Sequence, residues 1–205
     1  MPRSSAWRSY KPGAADAAPA STARRPGAST STSPRPSVPY RVLGLDPGSR
    51  ATGYGVIEIG AEGPRYLASG TVRAAGTDFA ARLREIYVGV AAVVDTYRPD
   101  EIAIEKVFVN RNVDSALKLG QARGAALAAT FAHPVPVAEY APREVKLAVV
   151  GTGAAEKGQV HKMVTVLLSL QGRLAADAAD ALAVALCHAH ASARRDLLAR
   201  HGGTP

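Results

Sequence analysis

Four carboxylates sit where a folding chain rarely spends charge. Asp46 ends the apolar run RVLGLD and is followed at once by Pro47 and Gly48. Glu105 lies in EIAIEKVF, where Ile102 and Ile104 fill one face of a strand and Ala103, Glu105 and Val107 the other. Asp177 and Asp180, in AADAADALAVALCHAH, are three apart and share one helix face. They begin the stripe Ala181, Val184, Cys187 and Ala191, which is expected to meet a sheet. Each acid alone has a plain explanation. Asp-Pro-Gly is good turn chemistry, an edge strand leaves a Glu in solvent beside a cation, and an Asp at a helix start caps amides and suits the dipole. Brought together, the four would repel unless protonated or neutralised by a cation. Hard oxygen ligands with no cysteine cluster suit Mg²⁺ or Mn²⁺. Two such ions about 3.5 to 4 Å apart can activate a water and stabilise the leaving oxygen in phosphodiester hydrolysis.

The elements that must position these acids follow from the patterning. RVLGLD, TGYGVIEIG and RYLASGTVRA read as three strands, with turn residues Pro47, Gly48, Gly63 and Pro64 between them. Strands this close in sequence pair antiparallel. DFAARLREIYVGVAAVVDTY places Phe79, Leu83, Ile86, Val90, Val93, Val94 and Tyr97 at helical spacing, and Pro99 ends it. EIAIEKVF reads as a fourth strand, VDSALKLGQARGAALAATFA as a second helix and VPVAEY as a fifth strand. A helix around VHKMVTVLLSL and an alanine-rich one from about Ala175 to Leu198 follow. The result is an α/β layout: a five-stranded mixed sheet, an antiparallel meander then strand-helix-strand, with helices on both faces, as in ribonuclease-H-like folds.

Composition bounds the rest. The chain has 205 residues and 47% apolar content, enough for one good core. No apolar run approaches the roughly 18 to 20 residues needed to cross a bilayer, and a single cysteine, Cys187, allows no intrachain disulfide. Both fit a soluble protein of a reducing compartment. Of the net charge of +8, residues 1–40 carry +5, from six Lys or Arg against Asp16, which leaves +3 for the remainder. That segment is Ser, Thr, Ala, Pro and Arg with almost no large apolar residue, so residues 1–39 are expected to be a disordered basic tail. A targeting segment is the alternative. The folded domain is expected over 40–198, with 199–205 a flexible end.

LGLDPGSRATGYGVI, IAIEKVFVNRNVDSALKLGQARG, YAPREVKLAVVGTGAAEKGQV and DAADALA, in this order from about Tyr40 to His190, resemble the successive signature blocks of the RuvC family, bacterial Holliday-junction resolvases. The resemblance implies a ribonuclease-H-like fold and a homodimer that uses Mg²⁺ to nick two opposing strands of four-way junction DNA. It also implies a bacterial cytoplasmic setting, cooperation with the RuvA and RuvB branch-migration proteins, and no membrane. By position, Asp46, Glu105, Asp177 and Asp180 match the family's metal-binding catalytic acids. Phe108 resembles its aromatic residue that stacks on a base at the opened crossover. Lys146 and Lys157 match basic residues near the scissile phosphate, and Arg111, Lys118 and Arg123 are candidate phosphate contacts.

Other motifs need separate handling. GTGAAEKGQV has the spacing of GxxxxG from Gly153 to Gly158, but Gln159 and Val160 stand where a P-loop needs Lys and Ser or Thr. Its helix could instead aim amides at a DNA phosphate. His188 and His190, late in the last helix, read as ordinary surface or C-terminal residues. GLDPGS also resembles the first phosphate loop of actin-like ATPases and sugar kinases, although a folded region of this length has no room for their second domain. A non-catalytic junction-binding module and a resolvase-like RNA nuclease are the remaining alternatives.

Overall fold

The computed structural model describes residues 38–107 and 112–200. The first strand, β1 (Tyr40–Asp46), is the centre of the sheet, because Val42, Leu43 and Leu45 are apolar on both faces and fully buried. β2 (Ala51–Gly60) pairs antiparallel with it, Leu43 opposite Val56 and Asp46 opposite Gly53. β3 (Gly63–Arg73) continues the meander, with a register shift between Val56 and Ile57. On the other side of β1, β4 (Glu101–Glu105) and β5 (Val137–Tyr140) add in parallel, so the order is β3-β2-β1-β4-β5. A helix crosses over between β1 and β4 and another between β4 and β5, as parallel pairing requires.

Two hydrophobic layers sandwich the sheet. Leu43, Leu45, Val56, Ile102 and Ile104 meet Ile86, Val90, Val93 and Val94 of α1 (Phe79–Tyr97) and Ala122 and Ala126 of α2 (Val113–Ala128). The Asp78 side chain caps α1 by accepting from Ala81 N at 2.8 Å, and Arg98 closes it in the left-handed region, φ 46°, before Pro99. On the opposite face Val42, Ile57, Ala103 and Tyr140 meet α3 (Pro142–Val150), α4 (Lys157–Leu167) and α5 (Ala176–Arg200). Burying each such Leu, Ile or Val fully stabilises by about 1.5–3 kcal/mol.

The structure departs from the patterning in three places. β4 stops at Glu105, short of Lys106 and Val107. PREVKLAVV forms a helix, α3, that the strand and helix reading passed over; it is nine residues long, opens with Pro142 at its first turn and buries only Val145 and Val149. α5 buries no single stripe: Ala178, Ala179 and every residue from Ala181 to Ala189 are buried, because the sheet lies on one side and α3 and α4 on the other. It also runs on to Arg200, beyond the expected end.

Candidate active site

Parallel pairing of Leu45 with Ile104 brings the ends of β1 and β4 level. Strand alternation then turns Asp46 to the same face as Val42 and Gly44, and Glu105 to the same face as Ala103, which is the face covered by α5. Glycines let the helix come close. A Cβ at Gly44 would stand 2.1 Å from the Ala181 carbonyl oxygen, and one at Gly53 would stand 2.0 Å from that of Asp177. Gly53 is the register partner of Asp46, so the first turn of α5, with half-buried Asp177, lies across the end of β1. The glycines of the first block are thus read as a bed for this helix. Gly48 serves the turn, where a Cβ would meet the Ala51 carbonyl oxygen at 2.4 Å.

The Asp46 and Glu105 carboxyls lie next to one another, and each acts on the other's titration. Burial first, and then the negative charges of Glu105 and Asp180, push Asp46 up to about 8. Burial also raises Glu105, against the pull of Lys157 and Lys146. The Lys157 Nζ donates to Asp180 Oδ2 at 3.0 Å, and this bond and charge hold the ammonium above its ordinary range. Glu105, Asp180, Lys146 and Lys157 line one cleft of about 290 Å³. A larger groove, about 810 Å³, lies at the opposite end of the sheet by the β2–β3 turn and carries none of the four acids. Among the described residues no three Asp, Glu, His or Cys side chains stand together as a group that could hold a metal ion. The raised Asp46 and Glu105 carboxyls and the Lys157 ammonium on Asp180 both answer the like charge that these carboxylates concentrate.

The remaining candidates divide. Phe108 and Arg111 lie outside the described residues. Lys118 is exposed and pairs with Asp114 at 2.6 Å one turn earlier. Arg123 donates from Nε to the Glu105 carbonyl oxygen at 3.3 Å, and its Nη2 lies 2.8 Å from Glu139, so it links the ends of β4 and β5. The amide of Glu156, at the start of α4, is taken by Gln159 Oε1 at 2.8 Å, and Gly153 packs on the Arg143 side chain, so GTGAAEKGQV is a helix connection and its first amide is not offered to a phosphate. His188 is corrected: it is 3% exposed and bonded on both ring nitrogens. A lone helical histidine carries no sequence signal for that, since its partners, Glu101 and Tyr140, come from two distant strands.

A central strand and its parallel neighbour that deliver carboxylates to one sheet edge, with acids from an overlying helix, define a ribonuclease-H-like nuclease. The model of the family described as crossover junction endodeoxyribonuclease RuvC matches residues 42–188. The chain is 59% identical to the crossover junction endodeoxyribonuclease RuvC of Hahella chejuensis over 150 residues, 73% of this chain and 87% of that one. It is 55% identical to that of Methylococcus capsulatus, over 73% and 90% of the two chains. Among solved structures, Thermus thermophilus RuvC in complex with Holliday junction substrate superposes with a TM-score of 0.71 at 37% identity, covering 77% of this chain and 97% of that one. This chain belongs to the crossover junction endodeoxyribonuclease RuvC family. That membership displaces the ATP-binding, RNA-nuclease and non-catalytic readings.

Proposed function

We propose that this enzyme resolves Holliday junctions in recombination and repair, nicking two opposing strands of a four-way DNA junction symmetrically and leaving 5′-phosphate and 3′-hydroxyl ends. The observation that carries the reading is the half-buried pair Asp46 and Glu105, level at the ends of adjoining parallel strands, with Glu105 and Asp180 lining one cleft with two lysines.

Asp46, Glu105, Asp177 and Asp180 are proposed as the metal ligands. The fit rests on their chemistry: half-buried Asp46, pushed up to about 8 by burial and by neighbouring Glu105 and Asp180, and an Asp180 that draws in an ammonium form a site short of positive charge. An all-oxygen donor set suits Mg²⁺, with Mn²⁺ a substitute, at two ions per subunit. When bound, the metal supplies water activation and stabilisation of the leaving oxygen in phosphodiester hydrolysis.

The chain's own residues do the rest. The Lys157 side chain is 85% exposed beyond its contact with Asp180, placed to meet a phosphate oxygen as DNA enters. Lys146 lowers the local negative potential that would otherwise repel the backbone. By resemblance Phe108 stacks on a base at the crossover, and the cations Arg111, Lys118 and Arg123 add phosphate contacts. A homodimer matches the twofold symmetry of a junction with two equivalent strands. α2 offers a smooth apolar stripe for it, with Val113 and Leu117 66% and 61% exposed and open space at Gly120 and Gly124. RuvA, RuvB and a bacterial cytoplasmic setting complete the reading. No described helix is long and apolar enough to cross a membrane.

The test is Mg²⁺-dependent cleavage of a synthetic four-way junction beside a linear duplex of the same sequence, with Asp46→Asn as control. Symmetric nicks in the junction alone, lost in the variant while binding persists, are expected. Equal cleavage of the duplex overturns the reading.

A further inference from the structure

A polar chain runs through the apolar layer between α5 and the sheet. The Tyr140 hydroxyl lies 2.8 Å from His188 Nδ1, and His188 Nε2 lies 2.6 Å from Glu101 Oε2. The His188 side chain is 4% exposed, and that of Glu101 18%. With the proton on Nε2, the ring accepts from the hydroxyl and donates to the carboxylate, so both nitrogens are satisfied. Burying such a set costs desolvation that an aliphatic trio would not incur. Its return is direction, which apolar contacts lack.

Most of the α5–sheet interface is apolar and supplies no direction of its own. At Gly44 and Gly53 the nearest helix atoms are backbone and the Ala185 methyl, at Gly55 they belong to Leu182, and Leu182, Val184 and Leu186 share a buried apolar cluster with Val42, Ile57 and Ala103. Apolar contacts of this kind hold the layers together without the directionality of hydrogen bonds. One residue of slip moves a helix about 1.5 Å and turns it about 100°. Metal ligation tolerates displacements of only about 0.5 Å. The polar chain joins the very elements that carry the acids: Glu101 starts the strand that Glu105 ends, Tyr140 is the register partner of Glu105, and His188 lies two turns along α5 from Asp180.

We infer that the Tyr140–His188–Glu101 chain is a positioning clamp, which indexes α5 along β4 and so sets the distance of Asp180 and Asp177 from Glu105 and Asp46. The inference rests on reading those four acids as the metal ligands. His188 is a positioning residue; it touches no reacting atom.

The test compares full-length wild type with H188L, H188Q, Y140F and D180N in single-turnover cleavage of a four-way junction across a Mg²⁺ titration. Junction affinity in Ca²⁺ and the thermal midpoint are measured beside it. H188L is expected to keep or raise its thermal midpoint and its junction affinity, while its Mg²⁺ half-saturation rises about tenfold or more. H188Q, whose amide oxygen and nitrogen replace the ring's acceptor and donor, is expected to recover most of that loss. Y140F, which removes the hydroxyl's bond to His188 together with its interaction with Arg195 and little volume, is expected to lie between and carries the test if H188L does not fold. Wild-type Mg²⁺ half-saturation in H188L or Y140F, with D180N inactive, overturns the clamp and leaves the ligand set standing. Wild-type cleavage by D180N overturns the ligand set itself, and the clamp with it.

Discussion

Asp46 and Glu105 end neighbouring parallel strands on the same face, side by side under the first turns of α5. Two carboxyls in this position cannot both be ionised cheaply, and stability should show it. Asp46 ordinarily titrates near 3.8 and here stands at about 8, held up by burial and then by the Glu105 and Asp180 charges. The folded protein therefore binds more protons than the unfolded chain between those two values. By linkage, metal-free protein is at its most stable below about pH 4 as far as this group is concerned and loses that stability as pH rises through 8. Thermal melts in EDTA from pH 5 to pH 9 should fall steadily, and Mg²⁺ should release protons and flatten the slope. A level profile in EDTA would remove the raised Asp46 carboxyl from the account.

The same relation makes Asp46→Asn a stabilising change. An amide keeps the volume and offers a donor to the neighbouring Glu105 while discarding a charge that burial opposes. Urea unfolding in EDTA at pH 8 should show a gain on the order of 1–2 kcal/mol, small beside the full cost of the charge because the site relaxes and admits water. Cleavage should vanish. Such an exchange of stability for function is common where a site concentrates like charges. A destabilised variant would mean that Asp46 mainly serves its turn.

Lys157 separates binding from folding. Its contact with Asp180 is a surface ion pair, worth at most about 1 kcal/mol, so Lys157→Met should leave the urea midpoint nearly unchanged. The single-turnover rate should drop by about tenfold or more, because a transition-state phosphate loses a positioned charge in a site already rich in carboxylates. Lys118→Met, at a position bound up with Asp114 one turn away on α2, should affect junction affinity through its salt dependence alone. Equal rate losses in the two variants would argue against a special place for Lys157.

Much of this was legible before any fold was described, and the reasons are particular. Asp46 and Glu105 stood out because a charge closing an apolar strand is costly anywhere except at a site. The meander was legible because turn residues punctuate short alternating runs, as Pro47-Gly48 and Gly63-Pro64 do. α5 was harder: alanine fits a buried face and an exposed one equally, so ADAADALAVALCHAH read as one stripe when two layers enclose it. The Arg123–Glu139 ion pair was not legible because Glu139 belongs to a strand reached only after α2. His188 misled for the same reason. Partnerships between distant elements leave no mark on local spacing, whereas a misplaced charge does.

Glycine contacts supply the sharpest structural test. A methyl at Gly44 would meet the Ala181 carbonyl oxygen at 2.1 Å and the Ala185 nitrogen at 2.7 Å, atoms of helix backbone that cannot rotate aside. Gly44→Ala must therefore lift α5 from β1, and with it the two acids of the first turns. Overpacking of this kind costs typically 1–3 kcal/mol, and more where backbone must shift. Gly60→Ala is the matched control, since nothing lies within 4 Å of a methyl there, and it should be neutral or slightly stabilising through the unfolded chain. The decisive measurement is cleavage at a temperature where both variants are folded. Gly44→Ala should be impaired in Mg²⁺ half-saturation as well as in stability, because the lift moves Asp177 and Asp180 away from Asp46. A Gly44→Ala enzyme that cleaves normally once folded would show that the acids of α5 need no close approach to the strand, and that the bed of glycines serves packing alone.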